Sequence, residues 1–228
     1  MAHSRDDEKF SKAMAKNPFA KLTRGLRALR GALRRALADA RYEDELRERF
    51  PQVTFGRDVL IKRMERFYPG RRVLIHDRAF LHCAGTQWAG YRGSITLGDN
   101  CEVGPYVAIW GAGGVTIGRN VHIGDHTTIT SHSAKHIPPG DDDVFKPLDI
   151  GFGEIVIGDH VIICAQVVIG PGVRIGDHAM IGANSVVLGD VPANCFYAGS
   201  PARLIRELTP GDVERDAYNP LVGSYTAG

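Results

Sequence analysis

The chain predicts a mainly β solenoid, a parallel β-helix, with a helical arm before it and a short cap after it. Three observations carry this reading. Aliphatic residues recur every six positions at Ile157, Ile163, Ile169, Ile175, Ile181 and Val187. Four positions after each stands a small or β-branched residue: Val161, Val167, Val173, Ala179, Ser185 and Val191. The phrase IGDH comes back at 123–126, 157–160 and 175–178. An α-helix repeats every 3.6 residues and an ordinary strand every 2, so neither accounts for a strict six. A parallel β-helix does. Each hexad is a short strand plus a corner, three hexads close a triangular coil, and the aliphatic residue points inward onto its equivalents in neighbouring coils. The small residues allow tight corners, and glycine also accepts positive φ.

Taken in order, residues 1–50 form a basic helical arm. Residues 1–16 are polar. From Pro18 to about Phe50, Leu22, Leu26, Leu29, Leu33 and Leu37 recur at spacings of four and three, interleaved with Lys21, Arg24, Arg27, Arg30, Arg34 and Arg35. Such a leucine stripe needs a cover. The expected one is the solenoid flank or a neighbouring subunit, with the basic edge outward and at most a weak peripheral membrane contact. A break is expected near Pro51. Residues 51–94 form a lead-in region, with the first hexads starting weakly after Arg72 and an irregular coil at 81–94. Residues 95–196 form the β-helix. Within it, 135–153 is a loop ejected from a corner, marked by Pro138, Pro139, Gly140, an Asp141–Asp143 run and Pro147. A loop this long in a compact repeat is usually functional. Residues 197–228 form a cap and tail.

Composition narrows the function classes. The 228 residues are 43% hydrophobic and 24% charged, as in an ordinary globular protein. No run approaches the roughly 18 apolar residues of a membrane span, and the N-terminus is not signal-like. The four cysteines lie far apart with no CxxC pair, which suits a reducing cytoplasm and argues against a zinc ribbon or a disulfide framework. The net charge of +2 is unevenly spread: residues 1–40 carry +6 and the remainder −4. Basic character therefore belongs to the arm, and nucleic-acid binding by the solenoid is not expected.

His126, His160 and His178 share one hexad position, which reads as a corner preference. His132 falls in the same register, one coil above His126, and opens the segment SHSAKH (131–136) that leads into the ejected loop. His136 lies at the loop's start, where the repeat no longer dictates residue type. A histidine there is suited to act as a general base, because its ordinary pKa lies near neutrality. No GxSxG elbow, P-loop or HExxH motif is present, and GAGG (111–114) lacks the strand–glycine–helix context of a dinucleotide site.

Regular hexads, a loop leaving after TSH, the block VVIGPGVRIGDHAMIGANSVVLGDVPANCFYAGSPARLIREL (167–208) and the exit AGSPAR (198–203) together resemble the hexapeptide-repeat acyltransferases with a left-handed parallel β-helix. The nearest branches in pattern are the galactoside and maltose O-acetyltransferases and the capsule and exopolysaccharide acetyltransferases. The resemblance covers about residues 95–208. It implies a homotrimer with active sites between subunits and acetyl-CoA lying in the cleft between two solenoids. A loop histidine deprotonates a hydroxyl, or as second choice an amine, of a sugar or other small acceptor. No metal is implied. Carried over residue by residue, the family's catalytic histidine falls on Ala134, flanked by His132 and His136, so both stand as candidate bases. Ala165 and Ala183 match backbone positions facing CoA, and Arg203 and Arg206 match groups near its phosphates or adenine. The family's VWIG tryptophan is Ile162 here. The sugar-binding Asn and Asp of the galactoside enzymes have no counterpart in GPYVAIWGAGG (104–114), which points away from a simple galactoside. The implied location is cytoplasmic, with a peripheral place at the inner face of a membrane if the acceptor is membrane-linked.

Two other classes remain open at this level. The γ-class carbonic anhydrases share the solenoid and hold zinc with three histidines, for which His122, His126, His132 and His136 are available. A non-catalytic trimeric scaffold fits the alanine at position 134.

Overall fold

The structure, a computed structural model, describes residues 18–85, 90, 92–135 and 149–209. The chain divides into two compact units, residues 1–51 and 52–228. The first is built on the helix Pro18–Arg49, which carries no acidic residue in its first turn and has Arg47 and Arg49 in its last. Leu26, Leu29, Leu33 and Leu37 are exposed along it. The expectation that the body covers this stripe concerns the relation between two separate units and stays an expectation.

The second unit is a three-sided solenoid of short parallel strands. Its first face runs Val53–Phe55, Val73–Ile75, Glu102–Val103, His122–Ile123, Ile162–Ile163, Met180–Ile181 and Cys195–Gly199. Its second runs Leu60–Lys62, Phe80–His82, Ala108–Trp110, Thr128–Thr130, Val168–Ile169 and Val186–Val187. Its third runs Phe67–Pro69, Ile95–Leu97, Val115–Ile117, Ile155–Ile157 and Arg174–Ile175. The register confirms the inward columns. Ile123 aligns with Ile163 and then Ile181, Ile129 with Ile169 and then Val187, and Ile117 with Ile157 and then Ile175. All nine are at most 2% exposed, so the core is a stack of β-branched side chains one rung apart. Each rung removes a β-branched or leucine side chain from water, worth about 1.5–3 kcal/mol before ordering costs.

The solenoid starts earlier than the sequence pattern suggests. Residues 51–72, read as a lead-in, contribute strands to all three faces, and Phe55 aligns with Ile75, Ile61 with Leu81, and Phe67 with Ile95. Phe55, Ile61, Phe67 and Val73 already stand six apart. The corners between them carry FGR and FYP instead of IGD, which hides the period. The hexads also overrun at the loop. ITSHSA (129–134) reads as one hexad, but only its start lies in Thr128–Thr130. His132–Ala134 leaves the solenoid and pairs antiparallel with Ile150–Phe152. The ejected segment therefore stands on a hairpin stem, locked by Lys135 Nζ on Asp149 at 2.9 Å.

The corners explain the repeated phrase. Asp159 accepts the backbone N–H of Arg119 at 2.9 Å, and Asp177 accepts that of Asp159 at 2.8 Å. The same bond joins Arg57 to Asp77 and Arg71 to Asp99. At Gly118 and Gly158 the glycine of the IG pair is needed for space. A Cβ on Gly118 would lie 2.5 Å from Asp159 Oδ1, and one on Gly158 would overlap Asp177. The left-handed residue comes two positions later. His126, His160 and His178 have φ of 57°, 59° and 58°, as do Asn120 and Asn184 at 56° and 58°. Asn and His are among the few side chains that tolerate this region. These histidines are corner residues, as their shared position suggests: His160 and His178 stack at 4.7 Å, and His126 stacks on Tyr106 at 4.7 Å. His132 departs from the expected register. Six residues are a third of a coil, so it lies at the next corner of the triangle, and it stands in the hairpin stem without a left-handed φ.

After Cys195–Gly199 the chain turns back as Ala202–Glu207, antiparallel, and finishes the first face. The cap is thus a strand return.

Candidate active site

Two sets of chemically capable residues emerge, at different corners of the triangle. The first surrounds the foot of the ejected hairpin. Ser131 is fully buried; its Oγ donates to the Trp110 carbonyl at 2.7 Å and accepts from the Gly113 N–H at 2.8 Å. This fixes the point where the chain leaves the coil. On the outer side of the second face, Lys62, His82 and Trp110 align in successive coils. The His132 ring meets Trp110 edge-on at 6.1 Å, His82 meets it edge-on at 5.6 Å, and Phe80 lies 5.0 Å from it. Burial holds the His132 pKa below its ordinary value. Burial does the same for His82, helped by the charges of Lys62, His132 and Arg63. Both rings are therefore kept neutral near pH 7, the form that accepts a proton.

The second set lines a concavity of about 230 Å³ on the first face, bounded by His122, Gly124, Asp125, Ile162, Cys164, Ala165 and Met180. Ile162, at the position of the family tryptophan, forms part of its apolar wall, and burial pushes the Cys164 thiol pKa up. Glu102, His122, Ile162 and Met180 follow one another in register along this face. Glu102 receives two imidazoles: His76 Nε2 at 2.7 Å on one oxygen and His122 Nδ1 at 3.0 Å on the other. The His76 bond, then the His122 bond, lower the Glu102 pKa and outweigh its partial burial.

The residues singled out from sequence divide accordingly. Ala165 lines the groove, and Ala183 stands one coil on, where the Asn184 N–H donates to the Ala165 carbonyl at 3.1 Å. Arg203 and Arg206 sit on the returning strand of the same face. Arg206 is in register with Phe196, which is in register with Met180. Arg203 Nη1 donates to the Ala202 carbonyl at 2.8 Å. His132 does not join this group within one chain. Ala165 precedes the strand Val168–Ile169 of the second face, whereas His132 follows Thr128–Thr130 of that face, so a whole strand separates them, on the order of 15 Å. His136 lies outside the described residues. Glu102, His76, His82 and Trp110 escaped the sequence reading. Glu102 and His122 do share the last place of hexads 97–102 and 117–122, which is the signal that marks them.

Of the four histidines available for a zinc site, the three described ones do not converge, and His136 lies outside the described residues. His122 is bonded to Glu102, His126 stacks on Tyr106, and His132 lies a corner away. Among the described residues no three His, Cys, Asp or Glu side chains are grouped to hold a cation.

A three-sided parallel solenoid with a groove over its most regular coils is the architecture that six-residue repeats build. The family described as bacterial transferase hexapeptide (six repeats) matches residues 154–189, the stretch that supplies Ile162, Cys164, Ala165 and Met180. The chain is 38% identical over 121 residues to a putative lipopolysaccharide biosynthesis O-acetyl transferase, WbbJ, of Escherichia coli K12, covering 51% of this chain and 62% of that one. It is 38% identical over 124 residues to the galactoside O-acetyltransferase of the same organism, covering 54% and 58%. The chain thus spans about three-fifths of the curated relatives it matches. Among solved structures, AntD of Bacillus cereus, an N-acyltransferase in complex with dTDP and coenzyme A, superposes with a TM-score of 0.60 at 22% identity, covering 77% of this chain and 94% of that one. That likeness concerns the fold. The resemblance to hexapeptide-repeat acyltransferases, read from the repeats, holds.

Proposed function

We propose that the chain is an acetyl-CoA-dependent acetyltransferase acting on a hydroxyl of a sugar, polysaccharide precursor or similar small acceptor, an amine being the second choice. The observation that carries this is the groove itself: the segment that matches the transferase repeat supplies Ile162, Cys164, Ala165 and Met180 of its lining, and two relatives named as O-acetyltransferases are 38% identical to the chain. Ala165 and Ala183 line the path of the cofactor, and Arg203 and Arg206 on the same face offer charge-assisted donors to its phosphates.

The chemistry follows from the two half-sites. The acceptor oxygen attacks the thioester carbonyl, a C–O bond forms and the C–S bond breaks. The hydroxyl proton passes to a histidine and from there to the departing CoA thiolate. His132, held neutral by burial, is the described candidate for this base, and His136 is the other. Because His132 and the groove occupy different corners, a homotrimer in which the loop of one copy meets the groove of the next would bring them together. The arginine-rich arm adds a weak contact with an anionic membrane surface, worth about 1 kcal/mol per well-placed charge before ordering costs. Thiol release from acetyl-CoA in the presence of sugar acceptors tests the reading. CoA binding without transfer to any acceptor would favour the scaffold.

A further inference from the structure

Three features outside the cofactor assignment stand out: the aromatic cluster at Trp110, the leucine stripe of the arm, and the His76–Glu102–His122 ladder. The ladder goes furthest, because it combines fixed orientation with an adjoining cavity.

A carboxylate can only accept hydrogen bonds, so the imidazole nitrogens facing Glu102 donate. His122 therefore carries its proton on Nδ1, and in the neutral ring Nε2 keeps a lone pair. Nε2 lies on the ring edge away from Glu102. In the strand ladder the neighbour on that side is Ile162, where the groove begins. An orienting carboxylate on one nitrogen and an open cavity at the other is the arrangement that fixes a substrate-facing histidine. His76 fills the second oxygen of Glu102, so both carboxylate oxygens are engaged by imidazoles. The remaining polar side chain of the lining is Asp125, again an acceptor, and among the described residues no Lys or Arg lines the cavity. The other side chains, Ile162, Cys164, Ala165 and Met180, are apolar or weakly polar. Acceptors above an apolar floor take a ligand that donates hydrogen bonds and carries no negative charge. A volume of about 230 Å³ suits a single ring better than a drug-sized ligand.

We propose that His122, fixed by Glu102, is a substrate-binding residue that accepts a hydrogen bond from a hydroxyl of a neutral sugar ring, and that Glu102 is its positioning residue. The inference rests on the acetyltransferase reading, with the thioester end of the cofactor at Ala165 and the acceptor ring at the His122 end of the same groove, and it narrows the acceptor to a neutral polyol over a uronate or phosphate ester.

The test uses the full chain and three probes: methyl glucopyranoside, methyl glucuronide and glucose 6-phosphate. Binding is followed by calorimetry and turnover by thiol release from acetyl-CoA. The neutral glycoside should bind and the two anions should not. His122→Phe, which keeps a ring and removes the acceptor, should weaken glycoside binding about tenfold and leave acetyl-CoA binding unchanged. His122→Gln, which retains an acceptor oxygen, should recover part of the loss. In nitrogen-15 spectra His122 should show the Nδ1–H tautomer, and Glu102→Ala should shift it toward the mixture of a free ring, a change that a purely structural role for Glu102 would not produce. Glycoside affinity unaltered in His122→Phe, or preferential binding of either anion, overturns the proposal. Wild-type protein that binds the glycoside through His122 but releases no CoA leaves this inference standing and removes the acetyltransferase reading instead.

Discussion

Asp159 accepts the amide of Arg119, forty residues earlier in the chain, and its Oδ1 occupies the space in which a Cβ of Gly118 would stand. One carboxylate thus closes a corner hydrogen bond and dictates a glycine in the adjacent coil. The consequence is mechanical coupling between coils at the Gly118 and Gly158 corners, where an aspartate of the next coil makes both contacts. Gly118→Ala should destabilise the solenoid by about 1–3 kcal/mol, as overpacking of a tight site does. Equilibrium urea unfolding checks this, with Gly25→Ala on the helix, where a Cβ meets nothing within 4 Å, as the control that should not destabilise. Equal midpoints for wild type and Gly118→Ala would show that the corner relaxes freely.

The corner carboxylates also set an acid limit. The Asp77, Asp99 and Asp159 pKa values are lowered, first by the backbone N–H of Arg57, Arg71 and Arg119 respectively. A depressed folded pKa contributes stability that is present above the unfolded value, near 3.8, and is lost as the pH falls through the folded one. The triple Asn variant should melt below wild type at pH 7, and the gap should close below about pH 4. A gap independent of pH would assign the effect to packing.

His132→Ala should lower kcat by roughly 10²–10⁴ with little change in acetyl-CoA affinity. Because burial depresses the His132 pKa, the ring stays neutral to lower pH, and the acid limb of kcat/KM should fall below the ordinary 6.5. Retention of near-full rate by both His132→Ala and His136→Ala would exclude a loop histidine from the proton transfer.

A site shared between copies predicts complementation. Co-expressing His132→Ala with Ala165→Trp, which blocks the groove, should restore activity that each variant lacks alone, and light scattering should report a trimer. A fully active monomer would contradict the shared site.

Arg206→Ala should raise the acetyl-CoA KM roughly threefold to tenfold and leave the acceptor KM unchanged, in keeping with loss of a charge-assisted bond. On the arm, Arg27→Glu with Arg30→Glu should abolish co-sedimentation with phosphatidylserine vesicles without changing the oligomer. Unaltered sedimentation would remove the membrane contact.

The sequence by itself determined the period, and with it the three-sided coil. A six-residue recurrence of β-branched residues has one economical packing, so Ile157, Ile163 and Ile169 had to stack on Ile175, Ile181 and Val187. It also placed His126, His160 and His178 at corners, because a residue type that tolerates left-handed φ keeps returning there. Only the tertiary structure showed that coils begin at Val53, since the inward residues were present but the corner phrase was not. Only it explained the corner glycines, whose Cβ space is filled by an aspartate of the next coil at Gly118 and Gly158 and by the chain at Ala165 and Ala193 at Gly124 and Gly176. His132 was visible as a candidate, yet its removal from the corner register depends on the hairpin, a pairing across fifteen residues of non-repeating chain. Glu102, His76 and His122 are far apart in sequence and ordinary singly. Their meeting is decided by which coil lies on which, and a local pattern carries no such information.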